Sequence, residues 1–424
     1  MPDRTLVVIG FGPIGAELFL DEAYRSGNFS EMFVSEVDQA TVNAIRANGG
    51  SYTVNIATLE ERFPRRVEGV RICNPNDPHQ RDELIAALGR ADEVVTALPN
   101  VRLYSSVADL LVEGLQANRK PVVFYTAEND NHAAEQIKKL LSPRLPQTDV
   151  VFLNTVIGKM SQRIVDSRVI DEMRLDYVTP GLEAAFLVEE TPQILLCRSK
   201  LPDTHNTALG IFQEKQDLLP FEEAKLYGHN AVHALMGYLL SIAGSEYMHE
   251  GGIQDNGDIL SISRRAFLYE SGAALILKHS GLDQLFTANG YKTYVEDLLA
   301  RMINPHLNDQ VERVVRDPKR KLEYDDRIIG TIRLAREQGL QAPFMTLGAA
   351  AALVYMGTSG SDDVVGTLVD IWREKTTELG NEAYKIAGDI QKAHICLIDW
   401  LRKGKPNLVK ILSERGYVPK NLAN

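Results

Sequence analysis

The sequence predicts a two-part fold: a doubly wound α/β domain followed by a mostly α-helical one. Three observations carry this. Short continuous apolar runs alternate with helical periods through the first half. A glycine-rich loop stands between the first run and the first helix. After about Pro202 the apolar runs stop and only helical spacing remains.

Leu6-Val7-Val8-Ile9 is the first run, apolar on every residue as a strand covered on both faces must be. Met32–Val34, Val94–Ala97, Val122–Tyr125 and Val150–Leu153 repeat the pattern, and further strands are expected near Met173–Tyr177 and Ile194–Leu196. Helical patterns lie between them at Ile14–Ser26, Gln39–Asn48, Gln80–Leu88 and Ser105–Gln116. Strand, helix, strand in series implies right-handed crossovers and a parallel sheet. Helical spacing then covers 221–244, 259–280, 284–303, 325–338, 344–356, 361–378 and 382–403. The expected domains are 1–200 and 201–424.

Residues 10–15 read Gly10-Phe11-Gly12-Pro13-Ile14-Gly15. The match follows a strand and opens a helix, which lets backbone N–H groups reach a pyrophosphate and makes the domain Rossmann-type. Gly10 permits the tight turn, Gly12 lets phosphate approach the backbone, and Gly15 lets the helix pack on the sheet. Glu36 ends the second strand roughly 20 residues further on, where an acid accepts from both ribose hydroxyls. A carboxylate there repels a 2′-phosphate, so NAD is expected rather than NADP; Asp38 competes for the role.

Composition closes off other classes. The 424 residues hold 46 Lys+Arg against 57 Asp+Glu, a formal charge of −11, which argues against a nucleic-acid or anionic-membrane binder. Cys73, Cys197 and Cys396 are far apart with no C-x-x-C, so neither a disulfide scaffold nor a cysteine zinc site is expected. No signal sequence or apolar run of about 20 residues is evident, and a cytoplasmic protein is expected.

Chemistry concentrates in the helical pattern beginning near 221. Lys225, Asn230 and His233 follow the spacing K-x4-N-x2-H. With Lys225 at zero, α-helical rotation puts His233 at about 80° and Asn230 at about 140°. An amine, an amide and an imidazole can then face one side. Oxidising an alcohol needs a base for its proton and a donor to steady the alkoxide. Lysine serves as that base only if burial lowers its pKa from about 10.4. Spacing alone also fits an ordinary amphipathic helix. His229 and His233 stand at i, i+4, a metal-ligand spacing, yet no H-E-x-x-H or nearby cysteine accompanies them. A second constellation is Arg313, Arg316, Lys319, Arg320 and Lys321, five basic residues in nine. It suits either an anionic or polyhydroxylated substrate, or an ion-pair patch against Glu312, Glu323, Asp325 and Asp326.

In this order the glycine loop, Thr96-Ala97, Glu128-Asn129, K-x4-N-x2-H and Arg313–Lys321 resemble the polyol-specific long-chain dehydrogenases. So do Glu270-Ser271-Gly272-Ala273, Asn304-Pro305 and Asp326-Arg327, and the resemblance spans about residues 5–360. It implies a metal-independent enzyme with Lys225 as general base, Asn129 and Asn230 polarising the reacting oxygen, and His233 contacting substrate and holding Lys225. It implies cofactor contacts from Gly10, Phe11, Gly12, Pro13, Ile14, Gly15, Glu36, Thr96, Ala97 and Asn129. Arg313 and Lys321 match polyol-binding positions, and Arg316, Lys319 and Arg320 sit where the phosphorylated-substrate branch is also basic. One departure stands out: the family reads D-x-x-x-D-R after the strand at 150–153, and this chain has Asn154 and then Gly158-Lys159.

The expectation is an NAD-dependent oxidoreductase interconverting a sugar alcohol phosphate and a keto-sugar phosphate, of the mannitol 1-phosphate and fructose 6-phosphate kind. Its partner is a small molecule, with no nucleic acid and no membrane, and the chain is a monomer or small homo-oligomer. A dehydrogenase of an unphosphorylated polyol or a hexuronate is the nearest alternative. A non-catalytic NADH sensor is the alternative of another class, and it has no need of a base.

Overall fold

The computed structural model describes residues 3–190, 193–197, 202–203, 205, 207–253, 257–376 and 378–417. Two compact units emerge, Met1–Leu219 and Pro220–Asn424. The boundary expected between 200 and 201 lies outside the described residues.

The first unit is built on an eight-stranded sheet. In chain order its strands are β1 (Thr5–Ile9), β2 (Glu31–Ser35), β5 (Val70–Cys73), β6 (Glu93–Thr96), β7 (Val122–Thr126), β8 (Val150–Val156), β11 (Ile194–Cys197) and β12 (Phe212–Lys215). The sheet order is β12-β11-β8-β7-β6-β1-β2-β5. From β5 to β8 all pairs are parallel, giving the 3-2-1-4-5-6 order of a dinucleotide-binding fold. Burial explains the apolar runs. Leu6 and Val8 join one core cluster and Val7 and Ile9 another, one on each face of the sheet.

A second, four-stranded sheet was not anticipated. It comprises β3 (Tyr52–Ala57), β4 (Arg62–Val67), β9 (Ser161–Ile164) and β10 (Ala185–Glu189), ordered β4-β3-β10-β9. No strand forms at Met173–Tyr177. Helix Ser167–Glu172 ends there, and Arg174 turns left-handed at φ +52°. The departing residues are structural. Asn154 is buried; its Oδ1 accepts from the Ala134 N–H at 2.8 Å, tying helix Ala133–Leu141 to β8. Lys159 is buried and donates to Glu17 Oε2 at 2.5 Å, beneath the glycine loop's helix.

The second unit is helical. One continuous helix runs through Leu219–Glu223, Ala224–Asn230 and Ala231–Ala243, with the middle stretch wound by i→i+5 bonds. Gly257–Arg265, Ala266–Gly272 and Ala273–Lys278 form a second helix of the same kind. The two wide turns meet where residue 228 is glycine. A Cβ there would lie 2.8 Å from Tyr291 Oη and 2.9 Å from Phe267 Cε2. Ala288–Met302, Arg327–Glu337, Pro343–Tyr355, Val364–Arg373 and Asn381–Arg402 complete the long helices at their expected places. Buried Glu270 accepts from the N–H groups of Phe344 (2.7 Å) and Met345 (2.8 Å), capping one of them. Among the described residues no helix is long and apolar enough to cross a membrane, and the three cysteines are free and buried.

Candidate active site

In the first unit a cleft of about 550 Å³ opens at the carboxyl ends of β1 and β2, where Gly10, Phe11, Gly12, Pro13, Ile14, Glu36 and Ala97 line it. The chain reverses strand order between β1 and β6, the topological position where such folds bind ligands. Gly10 is left-handed at φ +108°, and a Cβ there would meet Ala97 O at 2.6 Å. Gly15 is equally constrained, its absent Cβ falling 2.4 Å from Gly10 O. At Gly12 nothing lies within 4 Å, so the backbone faces open space that a phosphate can enter. These three positions fit a pyrophosphate.

The two acids at the end of β2 have different tasks. Asp38 caps helix Gln39–Ala47, accepting from the N–H groups of Ala40 and Thr41, and from the Thr41 hydroxyl at 2.5 Å. Glu36 lines the cleft and accepts the Asp38 N–H at 2.8 Å through one oxygen. Thr96 is fully buried below the cleft wall. Its hydroxyl donates to Glu128 Oε2 at 3.0 Å, and the same carboxylate accepts the Leu98 N–H at 2.9 Å and the Tyr104 hydroxyl at 2.5 Å. Burial raises the Glu128 pKa. Glu128 therefore shapes the wall from beneath, while Asn129 lies exposed in the bend after β7.

In the second unit Lys225 and Asn230 both fall in the i→i+5 stretch. A wider turn rotates each residue by less than the α-helical 100°, so Asn230 and His233 come nearer the Lys225 face than α-helical arithmetic allows. Burial lowers the Lys225 pKa to about 8, and the Arg327 guanidinium adds to the effect. Asn230 is half-buried, and its amide makes no hydrogen bond to another described residue. His229 is buried against His233, ring centroids 5.9 Å apart, and burial holds it neutral. Among the described residues no three His, Cys, Asp or Glu side chains gather as a metal site.

Asp309 was not anticipated. It is 2% exposed, yet it carries a charge between two partners. Its Oδ2 lies 3.2 Å from His233 Nε2, and its Oδ1 accepts from Arg313 Nε at 2.7 Å. Burial alone would raise its pKa; His233 and Arg313 override that and hold it at about 2. No signal marked Asp309, because it sits in the aperiodic stretch between two helices, 76 residues from His233.

The basic run divides by task. Lys321 is buried; it donates to Val314 O at 2.8 Å and to Arg316 O, and sits over the Tyr238 ring. That inward position makes it a strut of the turn. Arg313 is bound to Asp309, and Arg320 donates to Asp326 at 3.2 Å. Arg316 and Lys319 are exposed and pair with no described acid, since Glu323 is taken by Lys375 and Asp325 by Arg333. Between these residues Asp317 is left-handed (φ +55°) directly before Pro318, a strained arrangement held by the folded turn.

Each unit by itself carries one element of oxidoreductase chemistry: the first a glycine-loop cleft, the second a lysine of lowered pKa on one helix with Asn230 and His233. Residues 217–393 match the Mannitol dehydrogenase C-terminal domain. Mannitol-1-phosphate 5-dehydrogenase of Exiguobacterium sibiricum is 29% identical over 387 residues, covering 89% of this chain and 93% of the relative. That of Aureobasidium melanogenum is 27% identical, covering 92% and 95%. Among solved structures, Pseudomonas fluorescens mannitol 2-dehydrogenase, a ternary complex with NAD and D-mannitol, superposes with TM-score 0.69 at 15% identity, covering 99% and 95%. A substrate-free D-sorbitol dehydrogenase gives 0.70 at 14%, covering 96% and 95%. Residues 217–393 thus carry a Mannitol dehydrogenase C-terminal domain, and over most of its length the chain is similar to mannitol-1-phosphate 5-dehydrogenases.

Proposed function

We propose that this chain is an NAD-dependent dehydrogenase interconverting a sugar alcohol phosphate and its keto-sugar phosphate, of the mannitol 1-phosphate and fructose 6-phosphate type. The observation that carries this is the Lys225 amine, lowered to about 8 and set on one helix with Asn230 and His233. Such a group exchanges protons near neutrality, as an acid–base catalyst must.

In the oxidation direction neutral Lys225 takes the hydroxyl proton of the alcohol. In reduction its ammonium returns that proton to the carbonyl oxygen. Asn230 donates an amide hydrogen to the same oxygen, where negative charge develops. Asp309 fixes the His233 ring for hydrogen bonding to the substrate. Bound NAD supplies the hydride acceptor, and NADH the donor. The loop of Gly10, Gly12 and Gly15 holds the pyrophosphate, and Glu36 accepts from the adenosine ribose. Arg316 and Lys319 receive the substrate's phosphate, because no described acid pairs with them, whereas Arg313 and Arg320 are bound to Asp309 and Asp326.

NADH oxidation followed by absorbance tests the reading. Fructose 6-phosphate is expected to turn over fast and fructose poorly. Equal rates with the two sugars would remove the phosphate from the assignment.

A further inference from the structure

Arg163 reaches the cofactor cleft from the unanticipated second sheet. It lines the same cavity as Ser35, Glu36 and Val37. Its Nη2 lies 4.0 Å from Asp38 Oδ2, with both side chains about two-fifths exposed (42% and 43%). A solvent-screened pair at that distance holds an arginine weakly. Asp38 is meanwhile engaged by three donors of its own helix.

The placement of Arg163 is not incidental. On β9 it stands directly opposite Phe186 of β10, and opposed residues of an antiparallel pair project from one face. The Phe186 ring packs 5.5 Å from that of Phe11, the second residue of the glycine loop. Phe11 packs in turn on Tyr52 at 5.0 Å, and the Tyr52 hydroxyl donates to Ala16 O at 2.6 Å. The face that carries Arg163 is thus locked to the phosphate loop. The guanidinium is presented at the end of the cleft where Glu36 stands, not at the loop itself.

A planar fork of donors at that end has one natural class of ligand, the ribose oxygens of an adenine dinucleotide or a phosphate attached to them. We propose that Arg163 is a specificity-determining residue. It donates to the adenosine ribose of bound NAD, and it becomes the ligand of a 2′-phosphate once the Glu36 carboxylate is removed. Preference for NAD over NADP is then a balance between one acid and one base, with Glu36 dominant. The inference rests on reading this cleft as the dinucleotide site with Glu36 at the ribose.

The test uses wild type, Glu36→Ser, Arg163→Ala and the double variant. Two measurements are made: kcat/KM for NADH and NADPH with fructose 6-phosphate, and calorimetric Kd values for adenosine 2′,5′-bisphosphate and 5′-AMP. Glu36→Ser is expected to raise kcat/KM for NADPH roughly 10- to 100-fold, the worth of a charge-assisted phosphate contact. Adding Arg163→Ala is expected to remove most of that gain while changing NADH several-fold less. In the Glu36→Ser background, adding Arg163→Ala is expected to weaken the bisphosphate about tenfold relative to 5′-AMP. An NADPH gain of equal size with and without Arg163 overturns the proposal. If Glu36→Ser gains no NADPH activity, the ribose assignment of Glu36 fails instead. The bisphosphate ratio then decides Arg163: tenfold weakening supports it, and an unchanged ratio overturns it.

Discussion

His233 Nε2 lies 3.2 Å from Asp309 Oδ2, and the carboxylate's other oxygen is held by Arg313. A buried acid therefore ties the third member of the K-x4-N-x2-H motif to the first member of the basic run. The carboxylate lies against the imidazole and anchors the arginine at once. Two sequence features that read as separate are one polar unit.

Asp309→Asn keeps the shape of that unit and removes its charge. The substitution is expected to lower kcat by up to roughly 100-fold through loss of His233 orientation, with little change in NADH affinity. Steady-state kinetics beside NADH fluorescence titration checks this. A variant with normal kcat would leave the contact without a part in turnover.

The same carboxyl makes stability depend on pH. Its pKa is about 2 folded against 3.8 in the ordinary case, so its contribution is present above about pH 4 and lost as pH falls toward 2. The amount is on the order of 2 kcal/mol. Urea midpoints for wild type and Asp309→Asn, measured from pH 6 down to 3, are expected to converge on the acid side. Parallel curves would show that Asp309 is not held down in the folded protein.

Lys225 titrates near 8, and its two protonation states serve opposite directions. Oxidation of the alcohol needs the neutral amine, so its kcat is expected to rise with pH through about 8. Ketone reduction needs the ammonium, so its kcat is expected to fall over the same range. Profiles in both directions with saturating substrate test the sign. A shared rise, or two flat profiles, would contradict it.

Arg316→Ala and Lys319→Ala are expected to raise KM for fructose 6-phosphate about tenfold or more each, the scale of a lost charge-assisted contact. Turnover of unphosphorylated fructose should barely move. Equal losses on both sugars would make the pair a structural element.

The glycine loop offers a contrast between neighbours. Gly12→Val places atoms in open space, so the fold is expected to survive while NADH binding falls more than 100-fold. Gly15→Ala puts a methyl 2.4 Å from Gly10 O, so a loss of thermal stability is expected. Melting curves and NADH titrations on the two proteins separate the effects.

The parallel strands and long helices were legible because burial imposes a period, as the alternate burial of Leu6, Val7, Val8 and Ile9 on two faces shows. The second sheet was not. Its edge strand β4 reads Arg-Phe-Pro-Arg-Arg-Val and β9 reads Ser-Gln-Arg-Ile, without an apolar run. Lys225, Asn230 and His233 were legible as a motif, but the helix at Lys225 is wound more widely than spacing arithmetic assumes. Asp309 and Arg163 gain their places only from tertiary contacts, to His233 and beside Asp38. Lys321 belongs with them: its charge reads as a ligand contact, yet its ammonium is turned onto backbone carbonyls.

Turnover of Lys225→Ala with fructose 6-phosphate and NADH, measured beside its NADH Kd, is the most direct trial of the account. A loss of 100- to 10,000-fold in kcat with Kd unchanged is the expected result, the range for removing a general acid–base. A variant turning over within a few-fold of wild type would contradict it.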